Sequence, residues 1–414
     1  MKVAIIGQTL NKNHADKISG GIQTVERLHV KIFLNEGWEV YFITPSCSEY
    51  FNDHEMFHLC KCSLPAQDEC GELDRTGKTR HSRTLASDIQ SWISEIDPDL
   101  IINHSFSSAH VRISTEFATK YPVMNFIHNT SDTAMDIGVI AKVKFYLEMV
   151  KRGSSLVCVS EYQRETWRVA LRKRLASGGD SFDFLKEEDI DKIYDPVCYP
   201  IFVSPPELQA PQKHLIVISR PDPIKNVSKL LELMVLAKID AHLHIFLAHP
   251  GELDNNEYYT QKIKPHLDKL HCTLHHNAPR QELLDCLATA RGCFIPCTVE
   301  AAPVAFLEAA SYGVPSIVFA KEKGGVVDHA AKYLLPLEKI WDIINVSKKD
   351  EEAAGDLKNT IDVMMNTDPL GIGGYCLSEY TCRKHSFEQR TKDLLKIADD
   401  TMNRYQKKPN LLGF

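Results

Sequence analysis

The sequence predicts an α/β protein made of two doubly wound, Rossmann-like parallel-sheet domains. Three observations predict it. The chain has 414 residues, more than one hydrophobic core usually serves. Short apolar runs alternate with amphipathic helical stretches in both halves, the pattern of strands joined by crossover helices. Between the halves, Ser204–Gln212 holds Pro205, Pro206 and Pro211 and reads as a linker.

In the first half, Lys2–Ile6 is a strand, and Gly20–Asn35 places Ile22, Val25, Leu28, Ile32 and Phe33 at helical spacing before Gly37. Val40–Thr44 is the second strand, Asp88–Ile96 a helix, Leu100–Asn103 the third strand and Val123–His128 the fourth. Lys142–Lys151 reads as a helix and Ser155–Ser160 as the fifth strand, followed by a polar, irregular stretch at Lys173–Ile193.

A second alternating unit runs from Leu215. Its strands are Leu215–Ser219, His242–Leu247, Cys272–His275, Cys293–Pro296 and Ser316–Phe319, the last closing the pattern. Its helices are Val227–Leu236, Tyr258–Leu270, Arg280–Ala290 and Ala305–Tyr312. Ser386–Tyr405 is a long amphipathic helix. The expected boundaries are 1–203, 204–385 and a final helix over 386–414. Open parallel sheets bind ligands at the carboxyl ends of their strands, so an interdomain cleft is expected between two such units.

Composition narrows the class. Hydrophobic residues make up 43% and charged residues 25%, ordinary for a folded soluble protein. No signal peptide is legible, and no stretch approaches the about 20 apolar residues of a membrane span. A cytoplasmic protein is expected. Its twelve cysteines form no CxxC pair and are expected to be free thiols. The net charge is −7, so the molecule as a whole does not suit polyanions. No GxGxxG follows the first strand, which disfavours a dinucleotide-dependent dehydrogenase.

Three segments carry chemistry. Ser19-Gly20-Gly21 opens a helix after the first strand, where glycines let the backbone approach a ligand and the helix N-terminus favours an anion. Ser219-Arg220-Pro221-Asp222-Pro223-Ile224-Lys225-Asn226 leaves the first strand of the second unit. Its two cations suit a diphosphate, Arg220 as a fork and Lys225 as a point charge. Pro296–Pro315 holds Glu300 in a loop and Glu308 on the following helix. That helix starts near Pro303 and offers its first amides to a phosphate. Glu308 suits ribose hydroxyls.

These segments resemble the retaining GT-B glycosyltransferases often called family 4, over nearly the whole chain. The family has a glycine-rich first loop, an Arg…Lys pair opening the second domain, and Glu-x7-Glu near its end, here Glu300 and Glu308. The resemblance implies an acceptor-side first domain, a nucleotide-sugar-binding second domain, and a final helix packing back on the first. It implies that Gly21, beside Gly20, approaches the donor phosphate. Arg220 and Lys225 bind the diphosphate, Glu300 the donor sugar, and Glu308 the ribose. Pro303, Val304 and Ala305 cap the phosphates, and His128 lies near the transferred sugar. The sequence departs from the family at Ala301-Ala302-Pro303, where an aromatic residue and a glycine are usual. Pro303 has no N–H, so one amide donor is missing.

The implied chemistry is retaining transfer from a nucleotide-sugar, UDP-linked, by front-face attack, with Arg220, Lys225 and the helix after Pro303 stabilising the departing diphosphate. No bound cofactor and no metal are expected. Asp97-Pro98-Asp99 and Asp189-Ile190-Asp191 read as solvated pairs, and His271…His275-His276 as structural histidines.

The acceptor is less legible. From Lys142 to Arg174 nine Lys/Arg stand against three Glu, among them Arg164, Arg168, Arg172, Lys173 and Arg174, with Tyr162 and Trp167 interleaved. Arg80 and Arg83 add a second basic stretch. Such a face suits DNA, an anionic membrane or plain solvent. Asp99-Leu100-Ile101-Ile102-Asn103 and Gly20-Gly21-x4-Glu26 are weakly similar to phage DNA glucosyltransferases, which implies a hydroxymethylated cytosine as acceptor. The alternatives are a surface polysaccharide or glycolipid acceptor, and a non-catalytic nucleotide-sugar-binding module. Nothing in the sequence bears on oligomeric state.

Overall fold

The computed structural model describes residues 1–7, 21–44, 54–62, 77–104, 116–128, 150, 153–176, 190, 212–249, 251–298, 300, 302–320, 342–366 and 372–407. The expected linker up to Pro211, the expected helix at Lys142–Lys151 apart from Val150, Gly20, Asp189 and Asp191 lie outside them. The chain divides into two compact units. Unit 1 comprises Met1–Ala15, Ile22–Pro200 and Thr391–Phe414; unit 2 comprises Asp16–Gly21 and Ile201–Arg390.

Unit 1 holds a six-stranded sheet: β1 Lys2–Ile6, β2 Glu39–Thr44, β3 Phe57–Lys61, β4 Leu100–Asn103, β5 Val123–Ile127 and β6 Ser155–Cys158. Every pairing is parallel. The strand order is β3-β2-β1-β4-β5-β6. Strands β4, β5 and β6 are buried at every position, so they read as continuous apolar runs rather than alternating ones. Helices α1 Gly21–Asn35, α2 Gly77–Ile96 and α3 Glu161–Ala176 belong to this unit.

Unit 2 repeats the plan with β7 His214–Ser219, β8 His242–Leu247, β9 Cys272–His276, β10 Gly292–Ile295, β11 Ser316–Ala320 and β12 Asp342–Asn345. The order is β12-β11-β10-β7-β8-β9, again all parallel. Counted from each unit's own first strand, both sheets read 3-2-1-4-5-6. Its helices are α4 Val227–Leu236, α5 Arg280–Ala288, α6 Val304–Ser311, α7 Asp350–Asn366 and α8 Ile372–Lys384. One core lies between α4, α7 and one sheet face, around Leu230, Leu231, Phe294 and Leu357. The other lies under α5 and α6 on the opposite face, around Ile216, Phe246, Leu283 and Leu307.

The last helix, α9 Phe387–Gln406, starts in unit 2 and ends in unit 1. Within unit 1 its end is tied down: Thr401 Oγ1 lies 2.5 Å from Ser155 Oγ, Arg404 Nη2 donates to that same hydroxyl at 2.6 Å, and the Tyr405 hydroxyl donates to Thr119 O at 3.2 Å. No helix among the described residues is long and apolar enough to cross a membrane.

Several sequence expectations are corrected. Ser316 does not begin the last strand: β12 and helices α7 and α8 follow it. Strand β12 is an edge strand with one buried residue in four, so it lacks an apolar run. Strand β3 is another short edge strand carrying His58 and Lys61. The helix expected over Tyr258–Leu270 is a π-helical turn, Tyr259–Ile263, leading into Lys264–Leu267. Pro265 explains the break, because it has no N–H to donate to the preceding turn.

A glycine sets one turn. Gly313 ends α6 at φ +69°, and a Cβ there would stand 2.6 Å from Gly374 O on α8. Both the left-handed backbone and the close carbonyl exclude a side chain. Gly313→Ala is therefore expected to destabilise unit 2 by about 1–3 kcal/mol, read as a lower denaturant midpoint. An unchanged midpoint would show that α8 yields at this contact.

Candidate functional site

In unit 2 the strand order reverses between β7 and β10, which are neighbours. Loops leaving such a pair diverge to opposite faces and open a crevice at the strands' carboxyl ends. Both charged segments singled out from the sequence leave the sheet there, one after β7 and one after β10.

The loop after β7 is built by its own residues. Asp222 Oδ1 accepts from Ile224 N at 3.1 Å and caps the 3-10 turn Pro223–Lys225. Pro223, at the first position of that turn, has its φ preset. Asn226 ends the turn in the left-handed region, at φ 57° and ψ 24°, which asparagine tolerates better than most residues. Its Nδ2 donates to Pro296 O at 3.2 Å, bridging to the end of β10. Asn256 Nδ2 donates to Pro221 O at 3.3 Å from the other side. Neither asparagine was assigned a role from sequence. Asn226 was legible as a turn terminator, whereas Asn256 has no local signal.

This frame aims Lys225 across the crevice. Its Nζ donates to Glu300 Oε2, and both side chains are about four-fifths buried, at 22% and 23% exposure. The two residues are 75 apart in sequence, and the sheet topology brings them together. Arg220 is different: 57% exposed, with Nη2 3.9 Å from Asp222 Oδ2. It is an exposed fork, and an ion pair at such a position contributes little to stability. Beneath the loop, burial and the Glu300 carboxylate push the Cys297 thiol up to about 12, so Cys297 is a neutral core residue.

Helix α6 begins at Val304, with Pro303 as its cap at φ −74° and ψ 102°. The first backbone bond of the helix runs from Leu307 N to Pro303 O at 3.3 Å. The amides of Val304 and Ala305 thus precede the first intrahelical bond. Glu308 is only 8% exposed, and its Oε1 accepts from Arg280 Nη2 on α5. A buried carboxylate needs such a partner. Arg280 is the residue that sequence reasoning missed, because nothing in the local pattern links α5 to α6.

Unit 1 repeats the reversal between β1 and β4. His104 follows β4, His128 follows β5, and His29 sits on α1. The three imidazoles form a chain: His29 Nδ1 lies 3.1 Å from His104 Nε2, and His104 Nδ1 lies 3.1 Å from His128 Nε2. Phe126 stacks on His104 with ring centroids 4.8 Å apart. His29 and His104 are each 1% exposed. Burial lowers His128 to about 4, lowers His29 to about 3 with help from His128, and holds His104 well below the usual imidazole range. All three are neutral at pH 7. In a chain of neutral imidazoles each ring donates one N–H and accepts one, so the two buried rings set which nitrogen of His128 carries its proton. His128 was singled out from sequence; His29 and His104 were not.

Of the two aromatics in the basic stretch, Tyr162 is partly exposed and Trp167 is not. Trp167 is 3% exposed and belongs to the core of unit 1. Arg164 Nε and Arg168 Nη1 both reach Glu165 Oε1, at 3.5 and 2.9 Å, and are 25% and 14% exposed. Helical spacing turns Trp167 inward while the arginine stems lie over the surface. Arg172 is partly buried and Lys173 exposed. Arg80 and Arg83 lie in α2, and their side chains, like that of Arg174, fall outside the described residues. Asp97 accepts from the Tyr121 hydroxyl at 3.1 Å and Asp99 from Lys2 N at 2.8 Å, so both carboxylates have local structural partners.

Comparison with known proteins bears on the fold. The chain is similar in fold to sucrose-phosphate synthase from Thermosynechococcus elongatus, with a TM-score of 0.69 at 13% identity over 97% of this chain and 99% of that one. It is similar to Anabaena HepE, solved with UDP-glucose, with a TM-score of 0.63 at 13% identity over 96% and 98%. The lipopolysaccharide outer core galactosyltransferase WaaB gives a TM-score of 0.56 at 16% identity over 96% and 99%. The two sheets and these neighbours define a GT-B fold. Residues 203–333, most of which lie in unit 2, match the family described as glycosyl transferases group 1. No curated protein matches the sequence.

The neutral imidazoles of unit 1 give a pH signature. Unfolded histidines protonate below about 6.5, while the folded ones stay neutral to about 3 and 4. The unfolded state then binds more protons, so stability falls as pH drops below 6.5. Each such histidine contributes a slope of up to about 1.4 kcal/mol per pH unit. Replacing His29 by leucine should reduce the slope of unfolding free energy between pH 6 and 4 by about that amount. An unaltered slope would mean that His29 protonates in the folded state.

Proposed function

We propose that the chain is a retaining, metal-independent glycosyltransferase that takes a sugar from a nucleotide diphosphate donor, with UDP as the carrier. The pairing of Lys225 with Glu300 across the β7/β10 crevice carries this reading. It puts one cation and one carboxylate side by side where a Rossmann-type sheet receives a nucleotide. A diphosphate draws on Lys225 and on the exposed fork of Arg220. Sugar hydroxyls donate to Glu300. The amides of Val304 and Ala305 face the phosphates as the first donors of α6, Pro303 contributing none. Glu308, held by Arg280, accepts from ribose hydroxyls through its remaining lone pairs. The fold neighbour solved with UDP-glucose supports UDP-glucose as the first donor to try.

As the donor bond breaks, negative charge grows on the diphosphate. Fixed cations and helix-end amides stabilise that charge more than the ground state, which is how such a site accelerates transfer. The acceptor hydroxyl attacks from the face the diphosphate leaves, and its proton passes to the departing phosphate oxygen. No divalent ion takes part. For His128 we propose a contact with the transferred sugar, its tautomer set through His104.

For the acceptor, the reading from sequence is a hydroxymethylated cytosine in DNA, resting on Arg164, Arg168, Arg172, Lys173 and Arg174. The inward Trp167 and the Glu165 pairs leave Arg172 and Lys173 as its main support among the described side chains.

Lys225→Ala and Glu300→Ala should each reduce turnover of UDP-glucose by about 100-fold or more without lowering the melting temperature by more than a few degrees. Turnover should survive a chelator, and the product should keep the donor's anomeric configuration by NMR. Full activity in either variant would remove the site assignment. Incubation with hydroxymethylated and plain DNA, read by product mass, decides the acceptor. With DNA as acceptor, neutralising Arg172 and Lys173 together should flatten the salt dependence of DNA binding by about two units of slope.

A further inference from the structure

Unit 2 holds a second concentration of chemistry, away from the strand ends that carry Lys225 and Glu300. His214 opens β7, and His242 and His244 lie near the start of β8. His214 pairs with His242 in the sheet register, so the side chains of His214, His242 and His244 share one face. Helix α5 covers that face and brings Cys286 over it.

One donor atom from each of His214, His244 and Cys286 lies within 4.8 Å of the other two. Cys286 Sγ is 3.7 Å from His214 Nε2. A tetrahedral zinc with ordinary Zn–N and Zn–S bonds sets these two ligand atoms roughly 3.5 Å apart, so this edge is already at length.

A chain of hydrogen bonds prepares the second imidazole. Glu282 Oε1 lies 2.6 Å from His275 Nδ1, and His275 Nε2 lies 2.9 Å from His244 Nδ1. The ionised carboxylate only accepts, so His275 Nδ1 carries the proton. Along this relay His275 accepts at Nε2, His244 donates from Nδ1, and His244 Nε2 is left as the ligating lone pair. This carboxylate–imidazole relay behind a ligating imidazole is the outer shell that metal sites use to fix a ring and raise its basicity.

The neighbouring histidines are occupied elsewhere. His242 Nε2 lies 2.9 Å from Thr273 Oγ1, with His271 stacked on its ring at 4.4 Å. His276 Nε2 lies 2.8 Å from Asn277 Nδ2. The thiol narrows the choice of ion. Two imidazole nitrogens and a sulfur suit zinc-class ions, whereas magnesium and calcium take oxygen ligands.

We propose that His214, His244 and Cys286 bind one zinc-class transition-metal ion, with His275 and Glu282 as outer-shell support and the fourth position left to water. Binding displaces the Cys286 proton. It also exchanges the contact of His214 Nε2 with Cys286 O, now 3.1 Å, for a metal bond. The ion ties β7, β8 and α5 together and is structural, so sugar transfer does not depend on it.

The test uses the full chain and Co2+ as probe, with Zn2+ as competitor. One Co2+ per chain should bind with a thiolate charge-transfer band in the near ultraviolet, and Zn2+ should displace it. Cys286→Ser should abolish the band. Glu282→Gln, on an exposed side chain, should weaken binding about 10- to 100-fold. Zn2+ should raise the melting temperature of the native protein and not of the Cys286→Ser variant. Absence of the band, or a band that survives Cys286→Ser, overturns the proposal. So does Co2+ affinity unchanged by Glu282→Gln, a variant that remains informative even where Cys286→Ser folds poorly. The chelator leaves sugar transfer intact if both readings hold, so loss of either leaves the other standing.

Discussion

The constraint on which the functional geometry depends is the reversal of strand order in each sheet. In unit 2, β7 has β8 on one side and β10 on the other. Chain leaving β7 and chain leaving β10 must cross to opposite faces, and the gap between them cannot be filled by either connection. Everything placed in that gap comes from two distant stretches of sequence. Lys225 and Glu300 meet there, and Asn226 ties the two loops by its bond to Pro296 O. An interior pair of opposite charges is costly to desolvate and returns little net stability. Once formed, however, such a pair is costly to break from one side, because the remaining charge is left without its partner.

Unit 1 uses the same reversal for a different kind of group. At the carboxyl ends of β4 and β5 it gathers uncharged donors and acceptors: His104, His128, and the Asn103–Asn125 side-chain bond at 3.1 Å. Three imidazoles in contact cannot all be charged, and burial removes the charge from each. Rings that are neutral and mutually hydrogen-bonded keep a fixed orientation without a counter-ion.

Much of this was legible in the sequence, and the gaps have physical causes. Central strands such as Leu100–Asn103 and Ser316–Ala320 are buried on both faces, so their apolar runs stand out. The edge strands β3 and β12 are not, and they passed as loops. Lys225 and Glu300 were legible because loops that bind anions need particular residue types at particular spacings. Their ion pair, 75 residues apart, was not. Arg280, which holds Glu308, and His29, which backs His104, were invisible for the same reason: a helix contributes one side chain to a site with no local pattern around it. Trp167 was misjudged because charge counting along the chain ignores helical phase. The indole faces into the core, and Arg164 and Arg168 beside it are themselves mostly buried.

The two ends of one parallel sheet are electrostatically different, and this sorts the two sites of unit 2. Each crossover helix starts near the carboxyl end of the strand before it and finishes near the amino end of the strand after it. Helix N-termini, with roughly half a positive charge each, therefore gather at the strand ends where Lys225, Glu300 and the start of α6 lie. That end favours phosphate. Helix C-termini, with the opposite partial charge, gather at the strand starts. Cys286 is two residues from the end of α5, and the backbone after that helix returns to β7, with Gln212 N donating to Thr289 O at 2.7 Å and Arg291 N to His214 O at 2.8 Å. A cation bound among His214, His244 and Cys286 thus lies beside a negative helix end. The same topology that gives the sheet an anion site at one edge gives it a favourable cation position at the other, and only the side chains decide whether each is used.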